Sequence, residues 1–289
     1  MGQTDLVYYP QMEEVVRQYA RSPEYRGERL LRIHEFERLS RGGDEVVIFG
    51  RSGHYHHYDL RHIRLLRDRG KLPAGNETTL VLYDWHEDLD HDPRGTELGN
   101  GTWGYLGLME GLYANMYVVG TDPRGFNELN STLWDGEEIR ATTEETLKLL
   151  DRVCLFPAEV SHYCLKLFPE CEHFLDENCS VDKYFTVREG GFVQVRFKSA
   201  TEVSYERRKE GVVVSIDLDV LKKPEVKTDC PQGAMGVDEL LGHLEKLRQT
   251  GRINTFLICG LAESAESVDE KSLESVSRVL SRCAELLGD

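Results

Sequence analysis

The chain has 289 residues, 40% of them hydrophobic and 30% charged, which is enough for one large globular domain and a core that needs no staples. A formal net charge of −16 argues against the basic footprint of a nucleic-acid binder, and no apolar run approaches the roughly 20 residues that span a bilayer. Seven scattered cysteines without a CxxC pair argue against a disulfide framework or a zinc ribbon, so reduced thiols in a cytoplasmic protein are expected.

Residues 1–43 read as a charged, helical N-terminal decoration. They contain no basic segment followed by an apolar one, as a signal peptide would. The run EVVIF at 45–49 predicts the first strand, followed by a histidine-rich turn and the helical pattern YDLRHIRLLRDRG at 58–70. Further strands are predicted at TLVLYD (79–84), NMYVV (115–119), RVCLF (152–156), GVVVSID (211–217) and NTFLICG (254–260). Helical patterns at 142–152, 237–251 and 269–288 alternate with them; Thr142 and Glu145 resemble a capping box, and Gly251 and Gly288 resemble stops. The stretch 157–210 reads as an insertion of irregular pattern, with FVQVRF at 192–197 as an extra strand or hairpin element. Near-continuous apolar strands alternating with helices predict α/β architecture: a single domain over 1–289, a three-layer αβα sandwich with a mostly parallel sheet. Ligands gather at the C-terminal ends of such strands.

Three strand ends carry chemistry. TLVLYD runs into Asp84-Trp85-His86-Glu87-Asp88, where strand alternation would bring Asp84, His86 and Asp88 to one side and turn Trp85 and Glu87 away. GVVVSID delivers Asp217 and Asp219 at the same spacing. Four carboxylates at adjacent strand ends would raise one another's pKa values, and a divalent cation removes that conflict. The first strand leads to His54, His56, His57 and, inside the helix, His62. His56 is the preferred ligand, His57 the second choice and His54 the third, while His62 reads as structural or exposed. His91 and Asp92 read as loop residues, and Cys230, with no histidine partner evident, as an inert thiol.

The order of these motifs resembles the arginase/agmatinase (ureohydrolase) superfamily: a histidine after one strand, a DxHxD strand end, then an SxDxD strand end, here Ser215-Ile216-Asp217-Leu218-Asp219. The resemblance covers roughly residues 45–270. The loop with Pro224, Pro231, Gly233 and Gly236 is similar to the family's, and Gly260-Leu261-Ala262-Glu263 nominates Glu263, with Glu266 behind it, as a substrate contact. The chain departs from the family in three places. Arg51-Ser52-Gly53 stands where Gly-Gly-Asp is usual, Val220-Leu221 follows the second pair in place of Asp-Pro, and Leu98–Gly104 keeps Asn100 without a nearby histidine. The chain therefore resembles an arginase-like branch rather than arginase itself.

The resemblance implies an arginase/deacetylase-like fold and two divalent metal ions, Mn²⁺ by preference. Asp84 and Asp217 would be shared between them, His56 and Asp88 would complete one ion, and His86 and Asp219 the other. It further implies hydrolysis of a non-peptide C–N bond in a small guanidino- or amidino-type substrate. Asp88 and Glu263 are the catalytic candidates; Asn100, Trp103 and Glu263 are the substrate-binding ones, with Trp103 walling the pocket. The expected partner is a small molecule, not nucleic acid or membrane, and relatives suggest a homo-oligomer although the sequence shows no interface signature. Two other readings stay open: a metal-binding protein of this fold without ureohydrolase activity, and a mononuclear-zinc, deacetylase-like amidohydrolase.

Overall fold

The computed structural model describes residues 3–38, 45–50, 52–90, 97–121, 149, 152–156, 158, 211–262 and 268–288, and the backbone alone of 134–135, 138–139, 183–187 and 191–197. The β-branched apolar runs form strands as their composition requires: β3 (Val46–Phe49), β4 (Thr78–Tyr83), β5 (Asn115–Val119), β8 (Val153–Phe156), β11 (Gly211–Asp217) and β12 (Arg252–Cys259). Every residue of β3, β4 and β11 is buried, as strands covered on both faces must be. Five further strands join them or stand nearby: β1 (Asp5–Tyr8), β2 (Arg29–Arg32), the short pair β6 (Trp134–Asp135) and β7 (Glu138–Ile139), and β9 (Lys183–Val187). The last, β10 (Gly191–Phe197), is the element foreshadowed by FVQVRF and pairs antiparallel with β9.

Ten strands make one sheet, in the order β2-β1-β3-β12-β11-β4-β5-β8-β10-β9. All neighbours run parallel except β10 and β9. Successive strand residues face opposite ways and seed two cores. On one face Val81, Tyr83, Val214 and Ile216 pack with α1 (Glu13–Tyr19), α5 (Val237–Thr250) and α6 (Glu270–Gly288), where α5 and α6 take their labels after the four earlier helices. On the other, Leu80, Leu82, Val213 and Leu257 pack with α2 (Ile33–Arg38), α3 (Tyr58–Asp68) and α4 (Trp103–Met109). The result is the three-layer αβα sandwich with a mostly parallel sheet that the sequence predicts.

The N-terminal segment needs a correction. It is not a purely helical decoration, because β1 and β2 extend the sheet beyond β3. The apolar part of β1 is only Leu6-Val7-Tyr8, and β2 (RLLR) is an edge strand whose arginines face water, so neither stands out by composition. Their pairing is fixed by register and by a two-pronged contact. Arg29 donates through Nε and Nη2 to the two oxygens of the buried Asp5 carboxylate, each at 2.8 Å. The predicted helix at 142–152 lies almost wholly outside the described residues, as does most of the 157–210 insertion.

Every residue of the central strands β3, β4 and β11 is buried, so truncations there should be costly. Leu82→Ala should lower unfolding free energy by roughly 2–5 kcal/mol in a denaturant titration. Leu98→Ala, at a residue 44% exposed, should change it by less than about 0.5 kcal/mol.

Candidate metal centre

The strands β3, β12, β11 and β4 are consecutive in the sheet, and their C-terminal ends bring together residues distant in the chain. His56 follows β3 in a short turn and is 2% exposed, whereas His57 is half-buried and His54 exposed. Asp84 follows β4, beside Asp217 at the end of β11, because Tyr83 pairs with Ile216 one step earlier. Asp84, Asp88, Asp217 and Asp219 are all buried, and His86 is mostly so.

The two acidic motifs converge by turns rather than by strand alternation, which corrects the sequence-based rationale. The strand ends before Asp84, whose Oδ1 accepts a hydrogen bond from His86 N at 2.7 Å and bends the chain back on itself. Asp88 then adopts φ +55°, a left-handed backbone that swings its carboxylate toward the cluster. Glu87 is buried as well, not turned out to solvent. Asp217 likewise caps a 3₁₀ turn at Leu218–Val220, its Oδ1 accepting from Asp219 N at 3.0 Å. Asp219 Oδ1 accepts from Trp85 N at 3.2 Å, which ties the two motifs together.

Gly260 makes room for this arrangement. Its φ is +94°, and a Cβ at that position would lie 2.0 Å from Asp217 Oδ1.

His56 Nδ1 lies 3.0 Å from Asp84 Oδ2, 3.1 Å from Asp88 Oδ2 and 3.4 Å from Asp217 Oδ2. Its other nitrogen, Nε2, is 2.9 Å from Ser215 Oγ, and Ser215 donates its only proton to Asp59 Oδ2 at 2.6 Å. Nε2–H therefore donates to Ser215, and in the neutral ring Nδ1 presents a bare lone pair to the carboxylates. Hydrogen bonds behind an imidazole are what fix a metal-binding tautomer. His86 Nδ1 sits 3.3 Å from both Asp84 Oδ1 and Asp219 Oδ2.

Electrostatically the cluster is in conflict without a cation. Burial and the Asp84 carboxylate push Asp88 up to about 7. Burial, then Asp84, raises Asp217; burial, then Asp217 and Asp84, raises Asp219 well above the usual range. Burial opposes ionisation of Asp84 too, yet His56 and His86 together hold it below the ordinary carboxylate range. Both histidines are raised: burial works against their charge, and Asp219 and Asp84 overcome it at His86, while Cys259, Asp88, Asp59 and Asp84 do so at His56.

The donor set fits divalent cations. His56, Asp84 and Asp88 each offer a donor atom within 4.8 Å of the others, as do Asp84, His86 and Asp219, so Asp84 is common to both groups. Asp84 Oδ2 and Asp219 Oδ2 are buried acceptors with no hydrogen-bond donor among the described residues. Such orphaned oxygens are costly unless a proton or a cation satisfies them. A cavity of about 180 Å³ opens onto the cluster, lined also by Gly53, Asn100 and Cys230.

Asn100 thus reaches the cavity, with Oδ1 2.5 Å from His57 Nδ1. Trp103 does not line it. The indole is fully buried behind the cluster, donating Nε1–H to Asp88 Oδ2 and packing against the His56 ring at 4.9 Å between centroids. Glu263, Glu266, His91 and Asp92 lie outside the described residues. Cys230 borders the cavity with its thiol pushed up to about 12 by burial and by Asp217 and Asp219, the inert state expected for it.

Sequence reasoning did not assign roles to Asp59, Ser215 or Cys259. Asp59 lies one helical turn after His56 and one before His62, a spacing that would have paired them. His62 is buried and structural: Nε2 is 2.7 Å from Tyr9 Oη, and Nδ1 faces Asp59 Oδ1 at 3.5 Å.

No family model matches the sequence, and neither does any curated protein. Solved structures do match the fold. Formimidoylglutamase from Bacillus subtilis superposes with a TM-score of 0.56 at 13% identity, covering 100% of this chain and 88% of that one. Proclavaminate amidino hydrolase from Streptomyces clavuligerus gives 0.60 at 11% identity, with 99% and 92% covered. A triple mutant of an arginase-like protein of T. brucei, bound with Mn²⁺, gives 0.54 at 14% identity, with 99% and 90% covered. The chain therefore has the arginase-like fold that its motifs anticipate.

Two outcomes follow from the crowding. Asp88 is held near 7 in the folded metal-free protein against about 3.9 when unfolded, so the folded state binds more protons between roughly pH 4 and 7. The raised Asp217 and Asp219 act in the same direction, as do the raised His56 and His86; the lowered Asp84 and Asp59 act only below about pH 4. Metal-free protein should accordingly lose stability as pH rises through that window, and Asp88→Asn should stabilise it at pH 8 by roughly 1–3 kcal/mol in a denaturant titration. Gly260→Ala should displace Asp217 and lower the melting temperature, with divalent cations restoring less stability than they give the wild type.

Proposed function

We propose that the chain is a binuclear metal-dependent hydrolase of C–N bonds other than peptide bonds, acting on a small guanidino- or amidino-type substrate. The observation that carries this reading is that two donor groups, His56-Asp84-Asp88 and Asp84-His86-Asp219, share the buried Asp84 carboxylate, while His56, Asp88, His86 and Asp219 line one cavity. Asp217 Oδ2, 3.4 Å from His56 Nδ1, supports its addition to the His56 side. Manganese is the expected metal, because a carboxylate-rich set with two imidazoles suits it. When bound, a pair of divalent cations supplies Lewis acidity and a water acidic enough to deprotonate near neutral pH.

The chain's own residues supply the rest. Asp88, which lines the cavity with its carboxylate 3.1 Å from His56 Nδ1, is the proposed carrier of a proton to a departing amine. Trp103 Nε1–H fixes the Asp88 carboxylate from behind, so its substitution should perturb that proton step rather than substrate binding. Asn100 offers its amide to substrate from the cavity lining. Glu263, which the sequence places just beyond β12, is the proposed carboxylate for a cationic substrate group. The strongly acidic chain also favours the approach of such cations.

Metal content by mass spectrometry, on protein purified without chelator and on Asp217→Ala, tests the reading. About two divalent ions per chain, manganese among them, lost in the variant, should accompany release of urea or ammonia from guanidino or amidino compounds. One zinc per chain would favour a mononuclear amidohydrolase; two ions without turnover would leave a metal-binding protein. Affinity should also weaken by up to roughly tenfold per pH unit below about 7 for each proton displaced, as calorimetry in buffers of different ionisation enthalpy would report.

A further inference from the structure

Cys259 ends β12 directly beside Asp217, its register partner at the end of β11. In a parallel pair that register turns both side chains to one face of the sheet. The Cys259 thiol is 3% exposed and donates to Asp217 Oδ2 at 3.5 Å. Its sulfur, a nitrogen of His56 and an oxygen of Asp217 all lie within 4.8 Å of one another, a third donor group that shares two members with the cluster described above. Asp84 Oδ2, buried and making no hydrogen bond, lies 3.0 Å from the same histidine's Nδ1, so His56 borders both the sulfur-bearing group and an orphaned carboxylate oxygen.

From this geometry we infer that Cys259 is a sulfur ligand for the cation on the His56 side, making that position selective for zinc or cobalt over manganese. The inference rests on the cation-binding reading above and deepens it. The two positions then differ in chemistry: the His86 side has one imidazole and carboxylates alone, which suit manganese or magnesium, whereas a thiolate selects softer ions. Binding exchanges the S–H bond for a sulfur–metal bond, and the proton that Cys259 shares with Asp217 leaves to the buffer. No oxidation state changes. Cys230 borders the same cavity but belongs to none of the three donor groups found among the described residues, so it serves as the internal control.

Cobalt titration of the metal-free protein tests the assignment without reference to turnover. Wild type and Cys230→Ser should develop a near-ultraviolet sulfur-to-cobalt charge-transfer band that saturates with one equivalent, and Cys259→Ser should lack it while still binding cobalt. In competition, zinc should displace manganese from one of two positions in wild type, and this preference should fall at least about tenfold in the variant. X-ray absorption of zinc-loaded wild type needs no substitution and should contain a sulfur scatterer at about 2.3 Å. Two bound ions with only nitrogen and oxygen neighbours, or a band that survives in Cys259→Ser, would overturn the sulfur ligand and leave the binuclear centre intact. Failure of the wild type to bind any divalent cation would overturn both.

Discussion

Four carboxylates converge at adjoining strand ends where water cannot screen them, and this mutual repulsion governs the architecture around them. Asp84, Asp88, Asp217 and Asp219 are each at most 3% exposed, and their spacing is set by sheet register and by two tight turns, not by flexible side chains. A protein has few reasons to keep such an arrangement. Buried charges of one sign are tolerated when protons or cations neutralise them. The raised carboxylates and raised histidines show the direction such a cluster takes without a cation, toward binding protons, while His56 and His86 hold Asp84 below the ordinary carboxylate range. The surrounding structure prevents the cluster from relaxing. Gly260 gives Asp217 the space it occupies, Trp103 holds Asp88, and the Ser215–Asp59 pair locks the His56 ring.

The polar layer behind His56 shows how far the site extends beyond its donors. Asp59 receives the Ser215 proton and faces His62, whose far nitrogen meets Tyr9 at the end of β1. The N-terminal strand, which looks peripheral in the sheet order, thus reaches within a few hydrogen bonds of the candidate metal centre. Orientation of one imidazole depends on elements from residues 9, 59, 62 and 215. A substitution at Tyr9 would act on the cluster through three intervening side chains, His62, Asp59 and Ser215, without touching it.

The sequence made some of this legible and not the rest, for identifiable physical reasons. The six central strands announce themselves because burial on both faces demands near-continuous apolar runs, as in Val212–Val214 and Leu80–Tyr83. β2 escapes notice because an edge strand is only partly buried and carries charge, and β1 because its apolar run is only Leu6-Val7-Tyr8. The DxHxD and DxD spacings mark Asp84, His86, Asp88, Asp217 and Asp219 as a group, yet the reason they meet was misread. Alternation along a strand is a property of extended backbone, while Asx-type turns at Asp84 and Asp217 and a left-handed Asp88 do the work here. Trp103 reads as a pocket wall from its Gly-rich surroundings, but only the fold reveals that its indole points at the back of Asp88. Cys259 is invisible in the same way: its relation to Asp217 is a matter of strand register, which spans 42 residues of sequence.

The strand order carries a further consequence for how the molecule comes into being. β11 and β12, the last two strands in the chain, fill the centre of the sheet between β3 and β4. Until they arrive, the earlier strands can assemble only as two separate ribbons, β2-β1-β3 and β4-β5-β8-β10-β9, with the apolar edges of β3 and β4 left without a partner. Pairings of such high sequence separation close slowly, and open edges of Val, Ile and Leu are sticky while they wait. During synthesis the nascent chain must therefore carry two unfinished half-sheets until residue 259 has emerged, and the ribosome's pace over the final third of the message sets the interval in which aggregation competes with closure.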